Sequence, residues 1–531
     1  MHLPRRLTII GLAALSACAR LPQTVPVPQP PPISVIPIPE SLVRAPGLAF
    51  TITPLSAIVA DTTTIGQRRA ATALAAVLRP STGYALPIVA NLDSISAAVR
   101  LPPDTSRRTI IRLRIAADSG LGGEGYTLVA GDDSVVITAF SGAGLFHGVQ
   151  TLRQLLPFGI ESHQAAIRMG PWTVPAMRIV DSPRFGWRGA MLDVARHFFT
   201  TDEVKQYIDI LALYKLNVLH VHLADDQGWR IEIKSHPELT TMGAPSEVGG
   251  GAGGFFTQSD YADLIRYAAD RYVMIVPEID MPAHINAALI SHPELSCGRR
   301  PPVVYTAINV GFSAICPDSE GTYTLLDDVI REISAITPAP YMHIGGDEVQ
   351  ALNAVQYAKF IGRVQSVVMK YGKRMIGWEE IAKTALHPTT IVQQWQGDSL
   401  AVPVPANGDV ILSGATKMYL DMKYTTATEL GLRWAGYNDV KVAYAWDPAT
   451  AFKGLGGARV IGVEAPLWSE TIRNITAAEY LAMPRLPAIA EVGWSPESRR
   501  TWEDFRVRLA VHGRRWNLLG INYYHSTQIP W

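Results

Sequence analysis

The sequence predicts an α/β protein: a (β/α)8 TIM barrel preceded by a smaller α+β domain. Three observations predict it. At 531 residues the chain is too long for one compact core, so at least two domains are expected. From Arg178 onward, short apolar strands alternate with amphipathic helices about eight times over roughly 300 residues, the rhythm of a βα barrel. Polar and aromatic residues recur just past each candidate strand, where such a barrel carries its site.

The chain begins with a targeting segment, residues 1–18. Arg5 and Arg6 precede the apolar run 7–15, and Leu15-Ser16-Ala17-Cys18 follows. The pattern resembles a bacterial lipoprotein signal in which Cys18 becomes the lipidated first residue; the alternative is a plain secretory signal cut nearby. Arg5-Arg6 matches a twin-arginine signal poorly in its flanks. Residues 19–40 are rich in proline, including Pro28, Pro30, Pro31 and Pro32, and read as an extended tether. The expected location is the bacterial periplasm or an outer-membrane lipoprotein, with the lipid as the sole membrane contact, because no internal apolar run reaches the length of a spanning helix. Lys+Arg and Asp+Glu both number 47, which gives no charge argument for nucleic acid. Cys297 and Cys316 share one loop region of an exported chain, where a disulfide is preferred over two buried thiols.

Residues 41–175 form the α+β unit. Stretches 109–115 and 134–139 alternate as strands do, and 65–78 and 145–156 carry helical apolar spacing. It holds no evident catalytic cluster and is expected to buttress its neighbour.

Residues 176–531 form the barrel, with strands expected at 189–194, 218–223, 273–279, 341–344, 374–377, 390–394, 409–412 and 459–463. Between the first two, Thr200 and Glu203 make a capping box and Val204, Tyr207, Ile208 and Leu211 share one helix face. Ser259 is the expected cap of the next helix, with Asp260 and Asp263 in its first turn. Beyond the strands come Asp193 and Arg196, Asp225 and Asp226, Asp280 and His284, Asp347 and Glu348, Trp378 and Glu379, Trp395, Tyr419 and Asp421, and Trp468 and Glu470.

The acids Asp347 and Glu348 follow the run Tyr341-Met342-His343-Ile344 and two glycines. Neighbours inside a strand point to opposite faces. At a strand end, with glycines letting the backbone turn, both can face one site. Two carboxylates held together push their pKa values apart, which supplies an acid and an anion at one pH. An isolated Asp-Glu is usually a solvated loop pair; here its counterparts on every other strand argue for a site.

These residues carry a resemblance to the β-N-acetylhexosaminidases of glycoside hydrolase family 20. The matching segments are Trp187-Arg188-Gly189 with Asp193, Arg196, His197 and Phe198; His220-Val221-His222-Leu223 with Asp225-Asp226-Gln227-Gly228-Trp229-Arg230; Pro277-Glu278-Ile279-Asp280-Met281-Pro282 with His284; and His343-Ile344-Gly345-Gly346-Asp347-Glu348. Gly377-Trp378-Glu379, Gln394-Trp395, Tyr419-Leu420-Asp421 and Trp468-Ser469-Glu470 also match, while Ala283 and Ala224 depart from the usual Gly and Thr. The resemblance implies exo-acting hydrolysis of terminal β-linked N-acetylglucosamine or N-acetylgalactosamine, with retention, by attack of the sugar's own acetamido oxygen. It implies Glu348 as proton donor and then base, and Asp347 as holder of the acetamido N–H. Tyr419 would donate to the acetamido oxygen, and Trp378, Trp395 and Trp468 would wall that group. Arg188, Asp421 and Glu470 would hold the sugar hydroxyls, with Asp280 and His284 as a relay behind Glu348. No metal or other cofactor is implied, and the partner is an oligosaccharide or glycoconjugate substrate.

Two rivals remain at this level. His220 and His222 alternate on one strand face, as in metal-dependent barrel hydrolases, but Gly377, Trp395 and Ser413 offer no further imidazoles at later strand ends. A sugar-binding relative without activity would have lost an acid or an acetamido contact, yet Asp347, Glu348 and Tyr419 are all present.

Overall fold

A computed structural model of the chain describes residues 33–531 apart from 92–107, 118–119, 166–168, 299–300, 398–403, 405–406 and 452–456. The signal segment, Cys18 and the tether up to residue 32 lie outside the described residues.

Seven strands form the first sheet: β1 (Ser41–Arg44), β2 (Ala57–Val59), β3 (Ile88–Val89), β4 (Ile110–Ile115), β5 (Tyr126–Ala130), β6 (Ser134–Ala139) and β7 (Met177–Asp181), in the order β1-β7-β5-β6-β4-β2-β3. Helices α1 (Ile65–Thr82) and α2 (Gly142–Leu155) pack on it through Leu74, Leu78, Leu145, Val149 and Leu152, all buried. Because β7 pairs with both β1 and β5, this sheet runs past the expected boundary at residue 175.

Eight parallel strands then close into a barrel: β8 (Trp187–Asp193), β9 (Val218–His222), β10 (Met274–Glu278), β11 (Tyr341–His343), β12 (Arg374–Trp378), β13 (Ile391–Gln394), β14 (Asp409–Leu412) and β15 (Arg459–Leu467). Helices α3 (Thr201–Leu213), α4 (Gln258–Ala269), α5 (Glu320–Ile336), α6 (Ala354–Lys370), α7 (Arg485–Trp494) and α8 (Trp502–Leu519) lie outside the strands. The Thr200/Glu203 capping box forms as expected. The cap of α4 is Thr257, not Ser259: its hydroxyl accepts from the Asp260 N–H while the Asp260 carboxylate takes the Thr257 N–H, two amides satisfied at once where Ser259 would satisfy one.

Residues 34–40 are not a tether. Ile36 is fully buried; its N–H donates to Gln154 (2.7 Å), the Ile38 N–H donates to Glu491 (2.8 Å), and Arg508 donates to the Val35 carbonyl (2.8 Å). Proline content alone predicted extension; the interleaved Val35, Ile36 and Ile38 make the stretch a strap across α2, α7 and α8.

The first domain does buttress the barrel, through buried charge. Lys215 pairs with Asp181 at 2.9 Å, the Trp494 indole donates to the same carboxylate, and Arg515 pairs with Glu161 at 2.9 Å. Cys297 and Cys316 are joined by a disulfide, with Cα atoms 4.8 Å apart. Among the described residues no helix is long and apolar enough to cross a membrane.

Candidate active site

Inside the barrel, Trp187, Val218, Val276, Ile376, Ile391 and Ile411 pack as an apolar plug. Beyond it the interior turns polar. Glu278, at the end of β10, takes His343 at 2.8 Å, His220 at 3.0 Å and the Trp378 indole N–H at 3.0 Å, and also bonds His222. Burial by itself lowers the pKa of His220 and His222, but the facing carboxylates outweigh it and push them up to about 9 and about 10. Each nitrogen of both rings lies within 3.0 Å of a carboxylate oxygen, which favours the imidazolium form. The alternating histidines are a charge lattice that fixes Trp378.

Past the plug, β11 ends as its glycines require. Gly345 and Gly346 take φ of +66° and +99°, and a Cβ on Gly345 would sit 1.7 Å from an Asp280 oxygen. Asp280 accepts the Gly346 N–H at 3.2 Å. The turn delivers Asp347 and Glu348 together, with Glu348 itself at φ +51°. Asp347 is buried, one of its oxygens has no partner, and burial, reinforced by Glu380 and Glu348, pushes its pKa up to about 7 against the pull of His284. His284 stands 3.4 Å from Glu348 and 3.8 Å from Asp347. Its other nitrogen rests 3.3 Å from Asp225. The acid behind His284 is thus Asp225, contrary to the expected Asp280, which instead holds the glycine turn.

Aromatic rings enclose the space beside the acids. Trp378 and Trp468 lie 5.8 Å apart, Tyr419 and Trp468 6.3 Å, and Trp395 stacks on Tyr419 at 6.4 Å. Glu380 orients this wall by accepting the Trp395 indole N–H at 3.1 Å and the Gln396 amide at 2.9 Å. Burial holds the Tyr419 phenol far above its ordinary pKa, so it remains an O–H donor. At the closed end both oxygens of Asp421 and one of Glu470 are buried without a partner, and burial raises both pKa values.

Arg188 is not at this end. It lies near the start of β8, fully buried, with its guanidinium on Glu124 of the first domain (2.7 and 2.9 Å) and on the Phe185 and Lys215 carbonyls. A seven-residue strand puts its ends about 20 Å apart. The arginine at the pocket is Arg196, which pairs with Asp225 at 2.6 Å, lies 4.9 Å over the Trp468 ring and keeps its Nε unpartnered. One arginine lies near the start of β8 and the other just past its end, and only the end of the strand tells them apart. Sequence reasoning also missed Glu278, Glu380 and Trp434. Trp434 is 56 % exposed and meets Trp395 and Tyr419 edge-on at 5.9 and 5.7 Å; an exposed indole adjoining the wall has no signature in the sequence.

A pair of carboxylates at the mouth of a parallel barrel, flanked by indoles and by unpartnered hydroxyl acceptors, defines a carbohydrate hydrolase. Comparison with known proteins agrees. The profile of glycosyl hydrolase family 20, catalytic domain, matches residues 185–497, and that of glycosyl hydrolase family 20, domain 2, matches residues 32–182. A β-N-acetylhexosaminidase of Cellulomonas fimi is 41% identical over 507 residues, covering 94% of this chain and 98% of its own. The β-N-acetylhexosaminidase structure from Streptomyces coelicolor A3(2) superposes with a TM-score of 0.87 at 45% identity, covering 95% and 100% of the two chains. A mutant Streptomyces plicatus β-hexosaminidase in complex with product GlcNAc superposes at 0.86, with 46% identity over 95% and 99%. The chain belongs to glycosyl hydrolase family 20. Its activity is that of a β-N-acetylhexosaminidase, hydrolysis of terminal β-linked N-acetylhexosamine.

Proposed function

We propose that the pocket takes one terminal 2-acetamido sugar and that the sugar's acetamido oxygen is the nucleophile. The observation that carries this is the unpartnered Asp347 oxygen within an indole-walled space, beside Glu348. A protein nucleophile would need a second carboxylate about 5 Å from the acid across the bond; sequence neighbours on one turn suit a substrate that attacks itself. As the C1–O bond breaks, Glu348 gives its proton to the leaving oxygen and the acetamido oxygen bonds to C1. Asp347 accepts the acetamido N–H and balances the positive charge of the oxazolinium ring. Tyr419 donates to the acetamido oxygen, and Trp378, Trp395 and Trp468 keep that group aimed and dry. Glu348 then takes a proton from the water that opens the ring at C1, which restores the starting configuration. Arg196, Asp421 and Glu470 hold the ring hydroxyls and close the pocket, which makes cleavage exo. Trp434 offers its face to the sugar that leaves.

The test is a pair of aryl glycosides differing at C2. The 2-acetamido compound turns over and the 2-hydroxyl compound reacts very poorly; comparable rates would refute the scheme.

The same reading extends to location: an exported lipoprotein held to a membrane by lipid on Cys18. It is supported by the apolar run 7–15 with Ser16-Ala17-Cys18 directly after it and by the Cys297–Cys316 disulfide, which fits an oxidising compartment. Cells carrying Cys18→Ser should release active enzyme from the membrane fraction and incorporate no labelled palmitate. Unchanged fractionation of that variant refutes the anchor.

A further inference from the structure

Among the described residues, one cluster of side chains of metal-ligating type lies outside both the catalytic pocket and the polar barrel interior behind it. The pentapeptide Ser-His-Pro-Glu-Leu occurs twice, at 235–239 and at 291–295, in the segments that follow β9 and β10. In each copy the leucine is buried, Leu239 and Leu295, which pins the turn beside it. The fold brings the two copies together, with the His236 and His292 rings 5.5 Å apart, edge to face. Glu238 lies between them: one of its oxygens is 3.2 Å from His236 Nδ1 and 3.3 Å from His292 Nε2. All three donor atoms fall within 4.8 Å of one another.

We propose that His236, Glu238 and His292 form a Zn2+ site on the outer face of the barrel. Two imidazoles and one carboxylate are a zinc donor set. Bonds of about 2.0–2.2 Å in a tetrahedron place neighbouring donors about 3.3 Å apart, which two of the three edges already match. The third edge closes by small ring rotations, and water fills the fourth position. The His236 nitrogen facing away from the metal is also placed as a zinc ligand requires: Nε2 is 3.1 Å from the Asp328 carboxylate on α5. His292 Nδ1, 3.6 Å from Glu294, makes no such bond. A carboxylate behind a ligating imidazole fixes its tautomer and raises its basicity. His292 Nε2, turned toward the cluster, is buried and makes no hydrogen bond. A bound ion would clip the segment after β9 to the segment after β10, next to the Cys297–Cys316 bridge.

The experiment uses untagged, chelator-treated full-length enzyme. Calorimetric titration with Zn2+ should show one equivalent bound, and zinc should raise the thermal midpoint. Co2+ in its place should give the visible absorption of a tetrahedral ion. The double variant His236→Ala/His292→Ala should lose all three signals while keeping the metal-free midpoint and hydrolytic activity. Asp328→Asn should bind about tenfold more weakly or worse, the usual cost of removing an outer carboxylate. No Zn2+ binding by the parent protein overturns the site, and so does binding that survives in the double variant.

Discussion

Asp347→Asn isolates the cost of burying the acetamido-holding carboxylate. The ordinary carboxyl pKa of 3.8 is pushed up to about 7 in the folded protein, chiefly by burial. An acid whose folded pKa is raised binds its proton more tightly in the native state. The stability this gives is complete below pH 3.8 and is lost as pH climbs through about 7. The shift is roughly three units, and at about 1.4 kcal/mol per unit the loss is about 4 kcal/mol. Asparagine has the same shape and no charge, so it escapes the loss. Spread over an unfolding entropy of about 2.1 cal/mol/K per residue, 4 kcal/mol is about 4 °C in Tm for a chain of this length. Thermal melts of parent and variant at pH 4 and pH 8 should therefore show the variant gaining about 4 °C on the parent at the higher pH, with turnover of an N-acetylglucosaminide nearly abolished at both. An equal Tm difference at the two pH values would mean that the buried anion costs nothing.

Glu348→Gln should cut turnover about 10²–10⁴-fold on glycosides whose leaving group needs a proton, and much less on a leaving group that needs none; equal losses on both would remove Glu348 as the acid. Arg188→Met and Arg196→Met should separate cleanly. The first breaks a buried pair with Glu124 and costs about 3 kcal/mol in denaturant melts without changing kcat/KM of the folded enzyme, whereas the second should lower kcat/KM on every substrate. A catalytic defect in folded Arg188→Met would return that residue to the pocket. Cys297→Ser opens a loop between residues 19 apart and should cost about 3 kcal/mol by loop entropy; a melt unchanged from that of the oxidised parent would show the bridge to be energetically idle.

The sequence by itself determined the order of elements. Val218, Leu219 and Val221, and Val410 to Leu412, announced strands β9 and β14 because a strand buried on both faces is mostly apolar; His220 and His222 are the polar exceptions in the first. The Thr200/Glu203 pair formed its box because capping is a contact between residues three apart. The acid pair was legible for the same reason: two glycines and two carboxylates are consecutive, and a turn is local chemistry. Only the tertiary structure decided which of two nearby arginines faces the sugar, that Asp225 rather than Asp280 stands behind His284, and that Glu278 and Glu380 aim the indoles of Trp378 and Trp395. These contacts join residues 15 to 100 positions apart, or lie at one end of a strand rather than the other. Closure of the barrel sets such distances, and no run of neighbouring residues encodes them. Proline in 34–40 announced a stretch without helix or strand, but what that stretch lies against is chosen by α2, α7 and α8, more than a hundred to several hundred residues away.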